Sequence, residues 1–384
     1  MKTKILIALD KYKGNLSAME ICKIIGNSIK EMDKNIEVIL NPMADGGEGT
    51  VDTLVGSLKG KYISLYVTGP LGDKIKSRFG IINNKIAVIE MSAASGLWLI
   101  PTEKRNPMET TTYGTGELIG KAMEIGCKKI IIGIGGSATN DGGMGMAQAL
   151  GVKFYDKNSN LLGFGGKELI KINRIDMSDR NLLLKDTIIE VACDVGNPLF
   201  GKNGAAYIYA PQKGADEKMV QELDKGLLNF AEVIKKDLVL NVAELKGAGA
   251  AGGLGAGLVA FLNAKLKNGV DIVMEATGIE NKMRDVDLVI TGEGAFDRQT
   301  FFGKSPYGVA ILAKKYKKPV ITINGSVNVS RDEISERDKN LFSGNFSTLN
   351  AAMNIENAIK NSRVLLKNIT KELITFYLSI KNLK

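Results

Sequence analysis

The sequence predicts an α/β protein built on a doubly wound parallel sheet, and three observations carry that prediction. Short apolar runs end in a carboxylate beside glycine, as at Asp10 and Asp45. Each is followed by residues with the apolar spacing of a helix. The same pattern returns near residue 287 after a long stretch of different character, so the two ends of the chain belong to one sheet.

The first apolar run, residues 4–9, is a buried strand closed by Asp10 and a glycine turn, with a helix over 17–31. Residues 36–40 repeat the strand, Ala44-Asp45-Gly46-Gly47-Glu48-Gly49 the turn, and residues 51–58 the helix. Between 61 and 91 the apolar positions come in short pieces broken by Gly69-Pro70, Gly72-Asp73 and Asn83-Asn84, which predicts an antiparallel meander. Alternation then resumes with a helix over 116–123, a strand over 129–134, a helix over 144–150 and a strand over 188–192 that ends at Cys193-Asp194. The last third gives a strand over 287–290 closed by Thr291-Gly292-Glu293-Gly294, a helix over 307–316 and a strand over 319–324. One domain made of residues 1–62 plus 283–384, with an α/β domain inserted at 63–282, accounts for this order.

Composition excludes several chemistries. The 384 residues contain no histidine, which removes Ser-His-Asp and Cys-His catalytic units and imidazole metal sites. Cys22, Cys127 and Cys193 are too few and too scattered for a disulfide framework or a CxxC site, so a reducing, cytoplasmic setting is expected. Residues 5–9 are too short for an export signal, and the glycine-rich stretch 247–264 is too weakly apolar to span a membrane; it is expected to be a packed soluble helix. The net charge of +9 comes from dispersed lysines, without the aromatic interleaving of a nucleic-acid binder. Near the C-terminus Arg363, Lys367, Lys371, Lys381 and Lys384 face only Glu372 and read as the solvated side of terminal helices. Trp98, Met144 and Met146 are expected in the core.

Asp10, Asp45, Asp141, Asp194 and Glu293 each stand near a strand end with glycine close by. Any one of them alone reads as a helix cap or turn residue. Together they suggest a cleft at the carboxyl ends of parallel strands, where clustered carboxylates hold magnesium and glycine turns offer N–H groups to phosphate. The richest turn runs from Gly133 to Gly143: its amides, with Ser137, Thr139 and Asn140, are suited to cradling an anion, and Asp141 to holding its metal. It is no Walker A loop, because the nearest match, Gly303-Lys304-Ser305, lacks a glycine at Arg298, and protein-kinase signatures are missing. Gly247-Ala248-Gly249-Ala250-Ala251-Gly252 satisfies the GxGxxG pattern, but Asn241 and Glu244 spoil the strand that should precede it. Arg105 offers a fork for a small carboxylate, and Lys13 and Lys304 charge for phosphate oxygens; an exposed arginine and solvated lysines are the plainer readings.

Pro42-Met43-Ala44-Asp45-Gly46-Gly47-Glu48-Gly49-Thr50, the run from Gly135 to Gly143, Asp194 with Asn197-Pro198-Leu199, Pro211-Gln212-Lys213-Gly214-Ala215, and Thr291-Gly292-Glu293-Gly294 with Asp297 and Gly303-Lys304 resemble the bacterial glycerate kinase family. The resemblance covers nearly the whole chain and weakens after about residue 350. It departs in the first turn, where Ala8-Leu9-Asp10-Lys11-Tyr12-Lys13-Gly14 stands in place of Ala-Pro-Asp-Ser-Phe-Lys-Gly; Asp10 and Lys13 are kept. The resemblance implies a flavodoxin-like domain with an inserted domain, and ATP- and Mg2+-dependent, in-line phosphorylation of D-glycerate in an interdomain cleft. The 2-phosphoglycerate product is favoured and 3-phosphoglycerate is left open.

Read from the residues beside that resemblance, Asp194, Lys13 and Lys304 are catalytic candidates, with Asp194 as base or else a turn anchor or magnesium ligand; Arg105 and Asp10 serve substrate; Gly46, Gly47, Gly135, Gly136, Ser137, Thr139 and Asn140 nucleotide phosphate; and Asp45, Asp141, Glu293 and Asp297 metal. The partners are small molecules, with no nucleic acid and no membrane, and homo-oligomerisation is left open. An NAD-dependent dehydrogenase using the 247–252 glycines, or a basic nucleic-acid binder, would leave the carboxylate-ended strands unexplained.

Overall fold

The computed structural model describes residues 2–381. Lys384, counted above with the terminal charges, lies outside them. The strands in chain order are β1 (Lys4–Leu9), β2 (Glu37–Leu40), β3 (Lys61–Thr68), β4 (Lys74–Ile82), β5 (Ile86–Glu90), β6 (Lys129–Gly133), β7 (Lys153–Tyr155), β8 (Arg174–Asp176), β9 (Ile188–Ala192), β10 (Lys265–Lys267), β11 (Leu288–Gly292), β12 (Ala295–Phe296), β13 (Val320–Asn324), β14 (Ser326–Val327) and β15 (Gly344–Ser347). The chain divides into two compact units, one of Met1–Asp45, Gly56–Leu58 and Val273–Lys384, the other of Gly46–Val55 and Lys59–Ile272.

In the first unit five strands lie in the order β15-β13-β11-β1-β2, and every pair is parallel. Numbered within the unit, that order is 2-1-3-4-5, the flavodoxin-like arrangement. Ile5, Ile7 and Leu9 alternate onto one face with Leu288, Ile290 and Ile323, where Ile21, Ile25 and Ile29 of the helix Ala18–Met32 and Leu366 and Ile374 of the helix Ser362–Lys381 cover them. The helix Ser305–Lys315 packs on β1 and β11 and brings Val309, Ala310 and Ala313 to the fold. The first helix starts where Ser17-Ala18-Met19-Glu20 allows a capping box: Ser17 Oγ accepts from the Glu20 N–H, and the Glu20 carboxylate accepts from the Ser17 N–H at 3.0 Å. The basic side of the last helix is partly exposed and paired. Arg363 meets Glu20, Lys367 and Lys371 each lie 2.9 Å from Glu31, and Lys381 lies 3.5 Å from Asp287.

The second unit holds a six-stranded sheet in the order β10-β9-β6-β5-β4-β3. The expected meander is present as β3, β4 and β5. It continues into the parallel part, because β5 runs parallel to β6 from Ile86↔Lys129 to Glu90↔Gly133. The helices Tyr113–Glu124, Met144–Ala149, Glu217–Leu238 and Leu254–Leu262 close its core.

The structure differs from two of the expectations. The stretch 247–264 is helical only over Leu254–Leu262. Gly247, Gly252 and Gly253 have positive φ, and Ala251 stands at φ 53°, so the segment before the helix is a chain of turns. Trp98 is 71 % exposed, whereas Met144 and Met146 are buried as expected. The tryptophan sits in a three-residue surface turn, Leu97–Leu99, none of whose side chains is buried. No helix among the described residues is long and apolar enough to cross a membrane.

Candidate active site

In an open parallel sheet the binding crevice forms where neighbouring strands send their connections to opposite sides, at the carboxyl ends. In the first unit that point lies between β1 and β11, with β2 on one flank and β13 on the other. Asp10 follows β1 there, its N–H bonded to Gly292 O at 2.9 Å, and Glu293 follows β11.

Asp10 is 7 % exposed. One of its carboxylate oxygens accepts the Lys11 N–H at 2.7 Å, and the other accepts the Ser305 hydroxyl at 2.6 Å. Burial, and then the negative charge of Asp45, push its carboxyl up to about 7, against the opposing pull of these two hydrogen bonds. Glu293 is also held above the usual carboxylate range, chiefly by burial. Its Oε1 accepts the Thr300 hydroxyl at 2.7 Å, and Lys304 Nζ stands 3.5 Å from its Oε2 and 3.7 Å from Asp297 Oδ1. Asp297 caps the turn Arg298–Phe302 by accepting the Gln299 N–H at 2.8 Å. Its own N–H donates to Thr300 Oγ1 at 3.1 Å, so the threonine ties the two acids together. Lys13 belongs to the turn after β1, beside Gly294: a Cβ on that glycine would lie 3.5 Å from Lys13 N. The structure thus gathers Asp10, Asp45, Glu293, Asp297 and Lys304 in one unit, with Lys13 next to the turn that carries Glu293.

The second unit brings a different set together at the ends of β6, β9 and β10. Gly46, at φ +85°, would place a Cβ 2.4 Å from the Ala192 Cβ, and a Cβ on Gly133 would strike Gly46 O at 2.3 Å. A Cβ on Gly135 would lie 3.6 Å from Gly47 Cα. Asp194 is exposed and accepts the Gly269 N–H at 2.9 Å. Gly135 and Gly136 are exposed, while Ser137, Thr139 and Asn140 are buried.

Under this loop Lys213, 1 % exposed, donates to Ser137 Oγ at 2.8 Å and to Thr139 O at 2.7 Å. Burial pulls its ammonium down to about 7, with Asp141 acting in the opposite sense. Asp141 is fully buried: one oxygen accepts from the Gly143 N–H, the other from the Thr112 N–H and hydroxyl and the Gly145 N–H, at 2.8–3.3 Å. Burial still holds its carboxyl above the usual range. Both oxygens of the aspartate expected as a metal ligand are engaged by the protein and fasten its own loop. The Thr139 hydroxyl, both polar atoms of the Asn140 side chain and Arg105 Nε are buried with no hydrogen-bond partner.

Among the described residues no group of three or more acidic or thiol side chains is arranged to hold a metal. Magnesium does not need one, because it keeps several waters and takes one or two carboxylates plus substrate phosphates. Glu293 and Asp297 with Lys304 between them fit that requirement. The residues that sequence reasoning left without a role are Ser305, Thr300 and Lys213. Lys213 stands inside one of the motifs quoted above, and Ser305, the last residue of the nearest Walker A match, opens a helix before Pro306.

The model of the glycerate kinase family matches residues 5–378. The glycerate 2-kinase of Escherichia coli K12 is 50 % identical over 360 residues, covering 94 % of either chain. The glycerate kinase of Bacillus subtilis 168 is 45 % identical and covers 96 % of either chain. A crystal structure from Salmonella typhimurium LT2, given provisionally as glycerate kinase 2, aligns over 100 % of both chains with a TM-score of 0.91 at 42 % identity. Agreement of sequence and fold over almost every residue settles the family: the chain belongs to the glycerate kinases, enzymes that phosphorylate an alcohol group of glycerate.

Proposed function

We propose that the chain transfers the γ-phosphoryl group of ATP, taken as its magnesium complex, to the 2-hydroxyl of D-glycerate. The products are 2-phosphoglycerate and ADP. The observation that carries the mechanism is the buried Asp10, hydrogen-bonded to Ser305 at the switch point of the parallel sheet. The relative named glycerate 2-kinase supports the 2-position.

The hydroxyl oxygen of glycerate forms a bond to the γ-phosphorus as the bond from that phosphorus to the β,γ-bridging oxygen breaks, and the electron pair leaves with ADP. The hydroxyl proton passes to the Asp10 carboxylate. A carboxyl raised to about 7 by burial accepts a proton readily near neutral pH and still ionises there. Asp194, the base expected from sequence, is exposed and engaged by Gly269, so we assign the proton to Asp10. Lys304 and Lys13 neutralise phosphate oxygens. Glu293 and Asp297 would hold the magnesium, which supplies charge neutralisation on the β- and γ-phosphates. Gly46, Gly47, Gly135 and Gly136 are proposed as an anion cradle, and Arg105, whose Nε is buried without a partner, as a group for the substrate carboxylate. The three cysteines are free, which fits a cytoplasmic setting.

A coupled assay for ADP with ATP, magnesium and D-glycerate, followed by phosphorus NMR of the product, tests this reading. The expected result is glycerate-dependent ADP release with 2-phosphoglycerate as product. ADP release no faster with D-glycerate than without it would overturn the reading, and 3-phosphoglycerate would move the acceptor to the other hydroxyl.

A further inference from the structure

The first unit carries a pocket of about 460 Å³ of whose lining the proposed mechanism uses only Lys13. Its walls come from the turns after β1, β11, β13 and β15 and from the helix Ile355–Lys360. It therefore lies along the carboxyl edge of the same parallel sheet, next to the turns that bear Asp10 and Glu293. The size is that of small-molecule and cofactor sites, which pair apolar walls with a few convergent polar groups.

One wall is made of two turns joined through the backbone. Gly325 donates its N–H to Glu293 O at 3.1 Å, and Ser326 donates to Gly294 O at 3.0 Å. A Cβ on Gly325 would stand 2.5 Å from Gly294 O, so the two turns lie against each other with no side chain between them. Leu349, Ile355 and Ile359 line the same pocket and are 39 %, 78 % and 46 % exposed, an apolar lip. Lys13 stands at the margin on the side of the β1 turn. Two apposed glycine turns that leave room beside the backbone, an aliphatic lip and a cation at one margin suit a heteroaromatic ring that carries an anionic tail.

We propose that this pocket binds the purine base and ribose of the nucleotide, with its phosphates running past Lys13 toward the turns of Asp10 and Glu293. The assignment rests on the ATP-dependent reading above and deepens it. It gives the nucleoside to the parallel sheet of the first unit, whereas the glycine loop around Gly135 takes no part in holding the base.

The variant Ala358→Trp fills the pocket from its helical wall. The KM for ATP is expected to rise tenfold or more, while the KM for D-glycerate and the affinity for inorganic tripolyphosphate stay within twofold of wild type. Calorimetry of magnesium-ADP binding to the wild-type protein and the variant reads the same loss without turnover, so it separates failure of the pocket from failure of the kinase reading. A folded variant with unchanged ATP KM and ADP affinity overturns the proposal, as does a changed oligomeric state with nucleotide affinity intact, which would make the lip an interface between copies. Photolabelling of the wild-type chain with 8-azido-ADP needs no variant. Labelled peptides within residues 348–362 support the site, and labelling confined to other segments overturns it.

Discussion

Ser305 donates its hydroxyl to Asp10 at 2.6 Å, joining residues 295 positions apart at the edge of the parallel sheet. The bond stabilises the ionised carboxylate against the burial that disfavours it. Ser305→Ala removes that support and should raise the Asp10 pKa by roughly one unit, given about 1.5 kcal/mol or more for a hydrogen bond to a charged group. The acid limb of the kcat/KM profile should shift upward by the same amount, with the plateau at high pH little changed. An unmoved limb would separate Ser305 from the titrating group.

Asp10 itself ties activity to stability with a definite sign. Its carboxyl rises from 3.8 to about 7 on folding, so between these values the folded chain holds a proton that the unfolded chain has released. Stability is therefore lost as pH climbs through that window. At about 1.4 kcal/mol per pH unit, the loss reaches at most roughly 4 kcal/mol above the window. Asp10→Asn should melt several degrees higher than wild type at pH 8 and close to it at pH 4, while kcat falls about a hundredfold or more. Near wild-type turnover would return the base to Asp194, whose Asn variant should then show the loss.

Lys213 acts in the opposite direction. Its ammonium falls from 10.5 to about 7 in the folded chain, so the unfolded chain binds the extra proton between those values and stability gains as pH rises across them. Lys213→Met keeps length without charge, and should erase that gain in melting curves taken from pH 7 to 10. Because the lysine holds Ser137 and Thr139 from beneath, kcat/KM should also drop about tenfold through misplacement of the loop. Parallel stability curves for the two proteins would show that the buried lysine does not titrate.

Four strands of the parallel sheet were legible, most clearly β1 and β11, whose apolar runs are almost wholly buried and are closed by a carboxylate or glycine. β15, Gly344-Asn345-Phe346-Ser347, is an edge strand with every residue half-buried, and its polar alternation gives no such signal. Strand-end carboxylates such as Asp10 and Glu293 of the candidate site can be read from the same pattern, whereas a buried partner cannot. Nothing in Gly303-Lys304-Ser305-Pro306 announces a hydroxyl aimed at residue 10, and a lysine in Pro211-Gln212-Lys213-Gly214 looks solvated until the packing is known. At Asp141 the packing adds what the pattern does not show. Its neighbours Gly142 and Gly143 read as a phosphate turn, yet their positive φ and close packing serve to wrap the loop around the aspartate.

The glycine cradle can be tested at one position better than at its neighbour. Gly136 stands at φ +73°, where a branched side chain is strained whatever the space, so Gly136→Val confounds binding with folding. Gly135 has no such constraint, and its added Cβ would meet Gly47 Cα at an ordinary 3.6 Å. Gly135→Val should keep its melting temperature within about two degrees and raise the KM of an anionic substrate fivefold or more. Unchanged KM values for both ATP and D-glycerate would remove the anion from that turn.

The last expectation concerns the acid pair after β11. Glu293 accepts from Thr300 and stands opposite Lys304, with Asp297 completing the group. Burial holds its carboxyl above the usual range, which means that a nearby cation gains more from it than from an exposed acid, because little solvent screens the interaction. If Glu293 and Asp297 hold the magnesium of the nucleotide complex, Glu293→Gln keeps the Thr300 hydrogen bond through its amide oxygen and removes only the charge. The magnesium concentration for half-maximal rate should rise about tenfold, with much of kcat recovered at saturating metal. A fall in kcat that magnesium does not restore, at an unchanged half-saturation point, would show that Glu293 serves instead to orient Lys304. In that case Lys304→Met should reproduce the Glu293→Gln profile, whereas separate metal and phosphate roles predict that Lys304→Met raises the KM for ATP and leaves the magnesium dependence as it is.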